Sequence, residues 1–107
     1  MKLSNTIQEF IKKYPEVWKS HEKTGELIHN AGPLDKKNSH LIQSGITASL
    51  KLYGAFCSHV SQAIDAGATP DEIYHAVLLL KNTAGFPTMM MAYSWTEEII
   101  EKIQKES

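Results

Sequence analysis

No stretch of this chain alternates Val, Ile or Thr with polar residues over the length of a strand, and this constrains the fold more than any other feature of the sequence. What remains is a helical pattern punctuated by Gly and Pro. The dipeptides Gly32–Pro33 and Phe86–Pro87 are the clearest breaks, because a residue that precedes proline is pushed out of the α region. The expectation is an all-α fold.

Apolar residues at helical spacing set out the elements. Ile7, Phe10 and Ile11 mark a first helix over about 5–13. Pro15, tolerated at a first helical position, restarts a second that runs to about His29, with Val17, Trp18, Leu27 and Ile28 as its apolar members. A third starts near Asp35 and gathers Leu41, Ile42, Gly45, Ser49 and Leu52 on one side. Glycine inside a helix costs about 1 kcal/mol relative to alanine, so Gly45 predicts close packing against a neighbour. Near Gly54 the chain turns or begins a fourth helix, which Ala63, Ile64 and Gly67 carry to its end.

Thr69-Pro70-Asp71-Glu72 is the strongest local signal. Thr69 can cap, Pro70 suits the first helical position, and Glu72 sits where a capping box needs its carboxylate. The helix that follows runs through Leu78, Leu79 and Leu80 to Ala84 and is apolar nearly all round, which predicts a central place or cover by another subunit. A last helix, from about Thr88 to Gln104, packs through Ala92, Trp95, Ile99 and Ile103. Met89, Met90 and Met91 at its start cannot all face one side, so some line a cavity or an interface. A small domain lacks interior for such a surplus, and a homo-oligomer is expected.

With 107 residues, one domain spanning 1–107 is the natural reading. A formal charge of −1, with Lys and Glu interspersed, provides no electrostatic footprint, so neither nucleic acid nor an anionic membrane is expected as a partner. The single cysteine excludes an intramolecular disulfide framework and suits a reducing compartment. The N-terminus lacks the apolar run of a signal peptide, and no stretch approaches the roughly 20 apolar residues that span a bilayer. A cytoplasmic protein is expected.

Cys57 and His59 draw attention to one helix. Two positions apart on a helix differ by about 200°, so thiol and imidazole face opposite flanks and cannot act together as nucleophile and base. Cys57 shares its flank with Val60 and Ile64 and reads first as a small buried apolar residue. Its sharper reading is a thiolate stabilised in a helix's first turn. His59 lies on the border of the polar face, either as a half-buried, hydrogen-bonded residue or as a general acid–base at a pocket rim. Glu26-x-x-His29 and Glu72-x-x-His75 match a spacing used by di-iron bundles, but the helices between them hold no further glutamate and Glu72 is explained by capping. No metal site and no cofactor follow from the sequence.

The segments Gly32–Lys37 ("GPLDKK") and Ser58–Ile73 ("SHVSQAIDAGATPDEI"), with the long apolar helix ending in Gly85-Phe86-Pro87, resemble the carboxymuconolactone decarboxylase family, which also contains the AhpD-like alkylhydroperoxidases. The likeness covers about 20–100. It implies an AhpD-like fold of about five to six helices, subunits associated as trimers or hexamers, and an active centre between helices near a subunit boundary. In AhpD-like members that centre is a Cys-x-x-Cys at a helix start, with a histidine four residues after the second cysteine and a glutamate about one helix length before the first. By that correspondence His59 takes the histidine's place, Leu52 and Ala55 the cysteines', and His40 the glutamate's. Without both thiols there is no intramolecular dithiol–disulfide cycle, and a one-cysteine sulfenic acid cycle needs an external thiol. Decarboxylase members also lack the Cys-x-x-Cys, and some keep a histidine at the place of His59.

The leading expectation is therefore acid–base chemistry on a small organic acid or lactone, in a helical pocket built around His59 with His40 as a second candidate. His40 nonetheless shares a polar face with Lys36, Thr47 and Lys51, which predicts exposure to solvent. Tyr53, His21 and Trp95 are candidate pocket walls. The alternatives are an AhpD-like peroxidase working through Cys57 alone and a non-catalytic oligomeric binding protein.

Overall fold

A computed structural model of the chain describes residues 3–106 and divides it into two compact units, Met1–Asp35 and Lys36–Ser107. Among the described residues every element in both is helical, as the absence of strand patterning predicts.

The first unit holds α1 (Asn5–Lys13) and α2 (Pro15–His29). The Ser4 hydroxyl caps α1 by accepting from the Ile7 N–H, and Lys12 and Lys13 complement the negative end of the helix dipole. Pro15 opens α2 at the position where its missing N–H costs nothing. Neither helix has a buried residue, so Ile7, Phe10, Val17, Leu27 and Ile28 all keep substantial apolar exposure.

The second unit contains α3 (Lys36–Ser49), α4 (Tyr53–Asp65), α5 (Pro70–Leu78), the single turn α6 (Lys81–Ala84) and α7 (Phe86–Glu106). α3 packs on α4 and α5, while α7 lies against α5 and α6 and also reaches α3 and α4. Phe56, Val60, Ala63, Ile73, Val77, Met89, Ala92 and Ile99 form the core between them, with Trp95 and Ile103 packed at its edge. Of the three successive methionines, Met89 is buried and Met90 exposed, so the expectation that they divide between faces is met.

Helix ends in this unit follow from local chemistry. Thr69 and Glu72 close the capping box reciprocally: the Thr69 hydroxyl accepts from the Glu72 N–H at 3.1 Å, and the Glu72 carboxylate from the Thr69 N–H at 2.9 Å. α4 ends in a Schellman motif, with the Ala68 N–H donating to Ala63 and the Gly67 N–H to Ile64, and Gly67 takes the left-handed φ of +103° that this turn demands. α3 ends in the same motif through Leu52 to Thr47 and Lys51 to Ala48, but here a lysine occupies the left-handed position, at φ +61°.

Two expectations are corrected. The apolar run after Thr69 is not one helix: α5 stops at Leu78, and the Leu80 N–H bonds Val77 before α6 begins, which turns Leu80 into the core and leaves Leu78 and Leu79 outside. Gly45 is not a close-packing site, since a β-carbon added there meets nothing within 4 Å. It lines an open apolar groove of about 670 Å³ between α3 and the α5–α6 segment, with Leu41, Ile42, Ile46, Leu79 and Leu80 among its walls. Among the described residues no helix is long and apolar enough to cross a membrane.

Candidate functional site

The buried residues of α3 are mostly polar: His40, Ser44 and Thr47, with Ala48. Ser44 and Thr47 settle their hydroxyls within their own helix, Ser44 donating to the Leu41 carbonyl at 2.7 Å and Thr47 to the Gln43 carbonyl at 2.9 Å. His40 makes its contact outside its own helix. It turns instead toward α4, where its Nδ1 lies 3.1 Å from the Nδ1 of His59. The two rings are 5.3 Å apart at their centres and tilted by 33°.

This corrects the expectation for His40, which is 6% exposed rather than solvated. Lys36 and Lys51 do remain outside, but Thr47 is buried with His40. The polar residues of this helix face a neighbouring helix, and pattern alone reads such a face as surface. His59 is half-buried and supplies the more accessible ring.

Cys57 belongs to the other flank of α4, as helical spacing requires. It is buried, and its hydrogen-bonding neighbour is the Tyr53 phenol one turn earlier, with Glu98 and Lys102 of α7 close enough to act on it electrostatically. Burial above all pushes the Cys57 thiol upward from its ordinary 9.0, and Glu98 adds to this, while the Tyr53 hydrogen bond and Lys102 oppose it. The Tyr53 phenol is raised in turn, chiefly by its hydrogen bond to Cys57. Tyr53 meets Trp95 edge-to-face at 5.1 Å, and Trp95 lies 5.6 Å from Phe56. Tyr53 therefore lies on the flank of Cys57, and Trp95 packs against both Tyr53 and Phe56. His21, the third candidate wall, lies in the first unit against Trp18 at 5.4 Å.

Gln43 carries no signal in the sequence pattern. It stands one turn beyond His40 on α3, and its side-chain Oε1 is buried with no hydrogen-bond partner among the described residues. The Glu72 carboxylate is engaged twice, by the Thr69 N–H and by Lys37 at 2.9 Å, which accounts for it without a metal. Among the described residues no three His, Cys, Asp or Glu side chains converge as metal ligands. What this arrangement can do chemically is hold and pass a proton: two imidazoles in contact, one buried and one accessible.

Residues 15–98 match the model of the Carboxymuconolactone decarboxylase family. No curated protein matches the chain significantly. Among solved structures, the apo form of a carboxymuconolactone decarboxylase family protein from Legionella pneumophila superposes with a TM-score of 0.78. The identity is 23%, and the alignment covers 90% of this chain and 86% of that one, a likeness of fold.

Proposed function

The chain belongs to the carboxymuconolactone decarboxylase family, and from that premise we propose that it acts on a small organic acid or lactone by proton transfer at His59. The observation that carries this reading is the 3.1 Å contact between His40 and His59. An imidazole whose inner nitrogen is held by a buried partner keeps a fixed orientation and offers its outer nitrogen to a ligand. Such a group removes a proton next to a carbonyl, or returns one to the carbanion left when carbon dioxide departs. Positioned acid–base catalysis of this kind contributes about 10²–10⁴-fold.

The peroxidase reading through Cys57 has less support. A thiol acts as its thiolate, and burial works against that form here. The family also fits a second copy of the chain as partner, and the exposed Ile42, Ile46, Leu78 and Leu79 beside the groove are the surface such a copy would cover. A single cysteine and a near-neutral charge are consistent with a cytoplasmic setting.

The direct test incubates the protein with a panel of small lactones and carboxylic acids in deuterated water and follows deuterium incorporation and carbon dioxide release. Wild type is expected to exchange or decarboxylate at least one of them, and His59→Ala to do so at least 100-fold more slowly. Equal rates for the two proteins would remove His59 from the chemistry.

A further inference from the structure

We propose that His40 is a positioning residue that holds His59 in its Nδ1–H tautomer, so that the Nε2 lone pair of His59 is the base of the site. The proposal deepens the acid–base reading above and rests on it for the direction of the hydrogen bond and for the use made of that lone pair.

The geometry is that of a directed hydrogen bond. The ring centres are 5.3 Å apart and the two Nδ1 atoms 3.1 Å apart, so the centre-to-centre distance nearly equals the contact plus two ring radii. Both nitrogens thus lie close to the line joining the rings, each aimed at the other. Two lone pairs converging on a third atom, as in a shared metal ion, would bring the ring centres closer for the same nitrogen separation.

A neutral imidazole carries one N–H and one lone pair. Two lone pairs facing each other repel, and two facing N–H groups collide. The neutral pair must therefore hold one proton between the two Nδ1 atoms, which leaves the donor's Nε2 bare and puts the acceptor's proton on Nε2. The acid–base reading above sets which ring donates, because the base must be the ring that a ligand reaches. His40 is 6% exposed and His59 half-buried, so His59 is the ring that a ligand reaches. A lone pair on its outer nitrogen places its proton on Nδ1, donated to His40.

The reaction step balances within this pair. A substrate C–H proton passes to Nε2 of His59, and the C–H electron pair stays on the substrate as an enolate. His59, now cationic, keeps its Nδ1–H on the Nδ1 of His40 in a charge-assisted hydrogen bond, which is shorter and stronger than the neutral one. Return of the Nε2 proton to carbon restores the starting pair, with no oxidant, reductant or other co-reactant consumed.

The test needs no substrate. The full chain is labelled with ¹⁵N, and long-range ¹H–¹⁵N correlation spectra are recorded at a pH where both rings are neutral; the two nitrogens of each ring then report its tautomer. Expected are Nδ1–H for His59 and Nε2–H for His40. In His40→Asn the amide oxygen accepts in place of Nδ1, and His59 stays in the Nδ1–H form. In His40→Leu it goes over to mainly the Nε2–H form. The proposal is overturned by Nε2–H on both rings, by the reverse assignment, or by a His59 tautomer indifferent to His40→Leu. Should that variant fail to fold, the wild-type and His40→Asn spectra decide. Expected tautomers without turnover of any lactone or acid would leave this inference standing and remove the acid–base activity; turnover with the reverse assignment would do the opposite.

Discussion

The Nδ1 atoms of His40 and His59 meet at 3.1 Å across the contact of α3 with α4, joining residues 19 apart in the chain. A buried imidazole needs such a partner, because a polar group taken out of water without a hydrogen bond costs about 1–3 kcal/mol. The contact therefore has a structural consequence that can be measured apart from any chemistry. In a double-mutant cycle of His40→Leu and His59→Leu, followed by urea unfolding, the coupling energy is expected to be about 1 kcal/mol. A coupling near zero would show that the two rings are adjacent without stabilising each other.

Cys57 should be slow as a nucleophile. Its thiol is raised from the ordinary 9.0 first by burial, so at pH 8 the native protein should react with a thiol reagent at least about ten times more slowly than the same chain in urea. Tyr53→Phe should slow it further, since the phenol's hydrogen bond favours the thiolate. A native rate equal to the unfolded one would bring the peroxidase reading back.

The capping box has a pH signature. The Thr69 backbone N–H, and after it the Lys37 ammonium, hold the Glu72 carboxyl below its ordinary 4.5. A carboxyl depressed in the folded state stabilises above its unfolded value, and this contribution is lost as pH falls through the lower folded one. Wild type is thus expected to exceed Glu72→Gln in stability at neutral pH, with the gap closing below pH 4.5. Thr69→Ala, which removes the hydroxyl cap, should cost about 0.5–2 kcal/mol at pH 7. Unfolding midpoints across a pH series check both.

Gly45 gives a prediction of opposite sign to the one that close packing would give. With open space where its β-carbon would lie, Gly45→Ala should stabilise the protein by about 0.5–1 kcal/mol through helix propensity alone. Loss of stability in chemical denaturation would mean that something occupies the groove wall at this position.

The groove also bears on assembly. Ile46 is 51% exposed and Leu79 64%, and both line it. If a second copy covers this face, Ile46→Glu and Leu79→Glu should each lower the mass seen by sedimentation or light scattering, since a charge buried in an apolar contact without a partner is costly. An unchanged mass for both variants would place any interface elsewhere.

The elements legible in advance were those decided within a few residues. Pro15 could only open a helix, Thr69 and Glu72 could only cap one, and Ala92, Ile99 and Ile103 could only pack one side of another. The site was less legible. The opposed flanks of Cys57 and His59 follow from helical spacing alone, and so were readable, whereas the burial of His40 was not: its neighbours Lys36, Thr47 and Lys51 share a polar stripe, and only the approach of α4 turns part of that stripe inward.

The same division runs through the whole molecule. The sequence by itself determined helical content, helix starts and the divergence of thiol and imidazole, because capping, proline geometry and the 3.6-residue turn act over one or two turns of chain. Tertiary structure decided which polar groups lost their water. It brought His40 to His59, left the Gln43 amide oxygen without a partner among the described residues, broke the leucine run at Leu79–Leu80 and opened the space beside Gly45. Desolvation depends on what a second helix covers, and that is set by contacts between residues far apart in the chain.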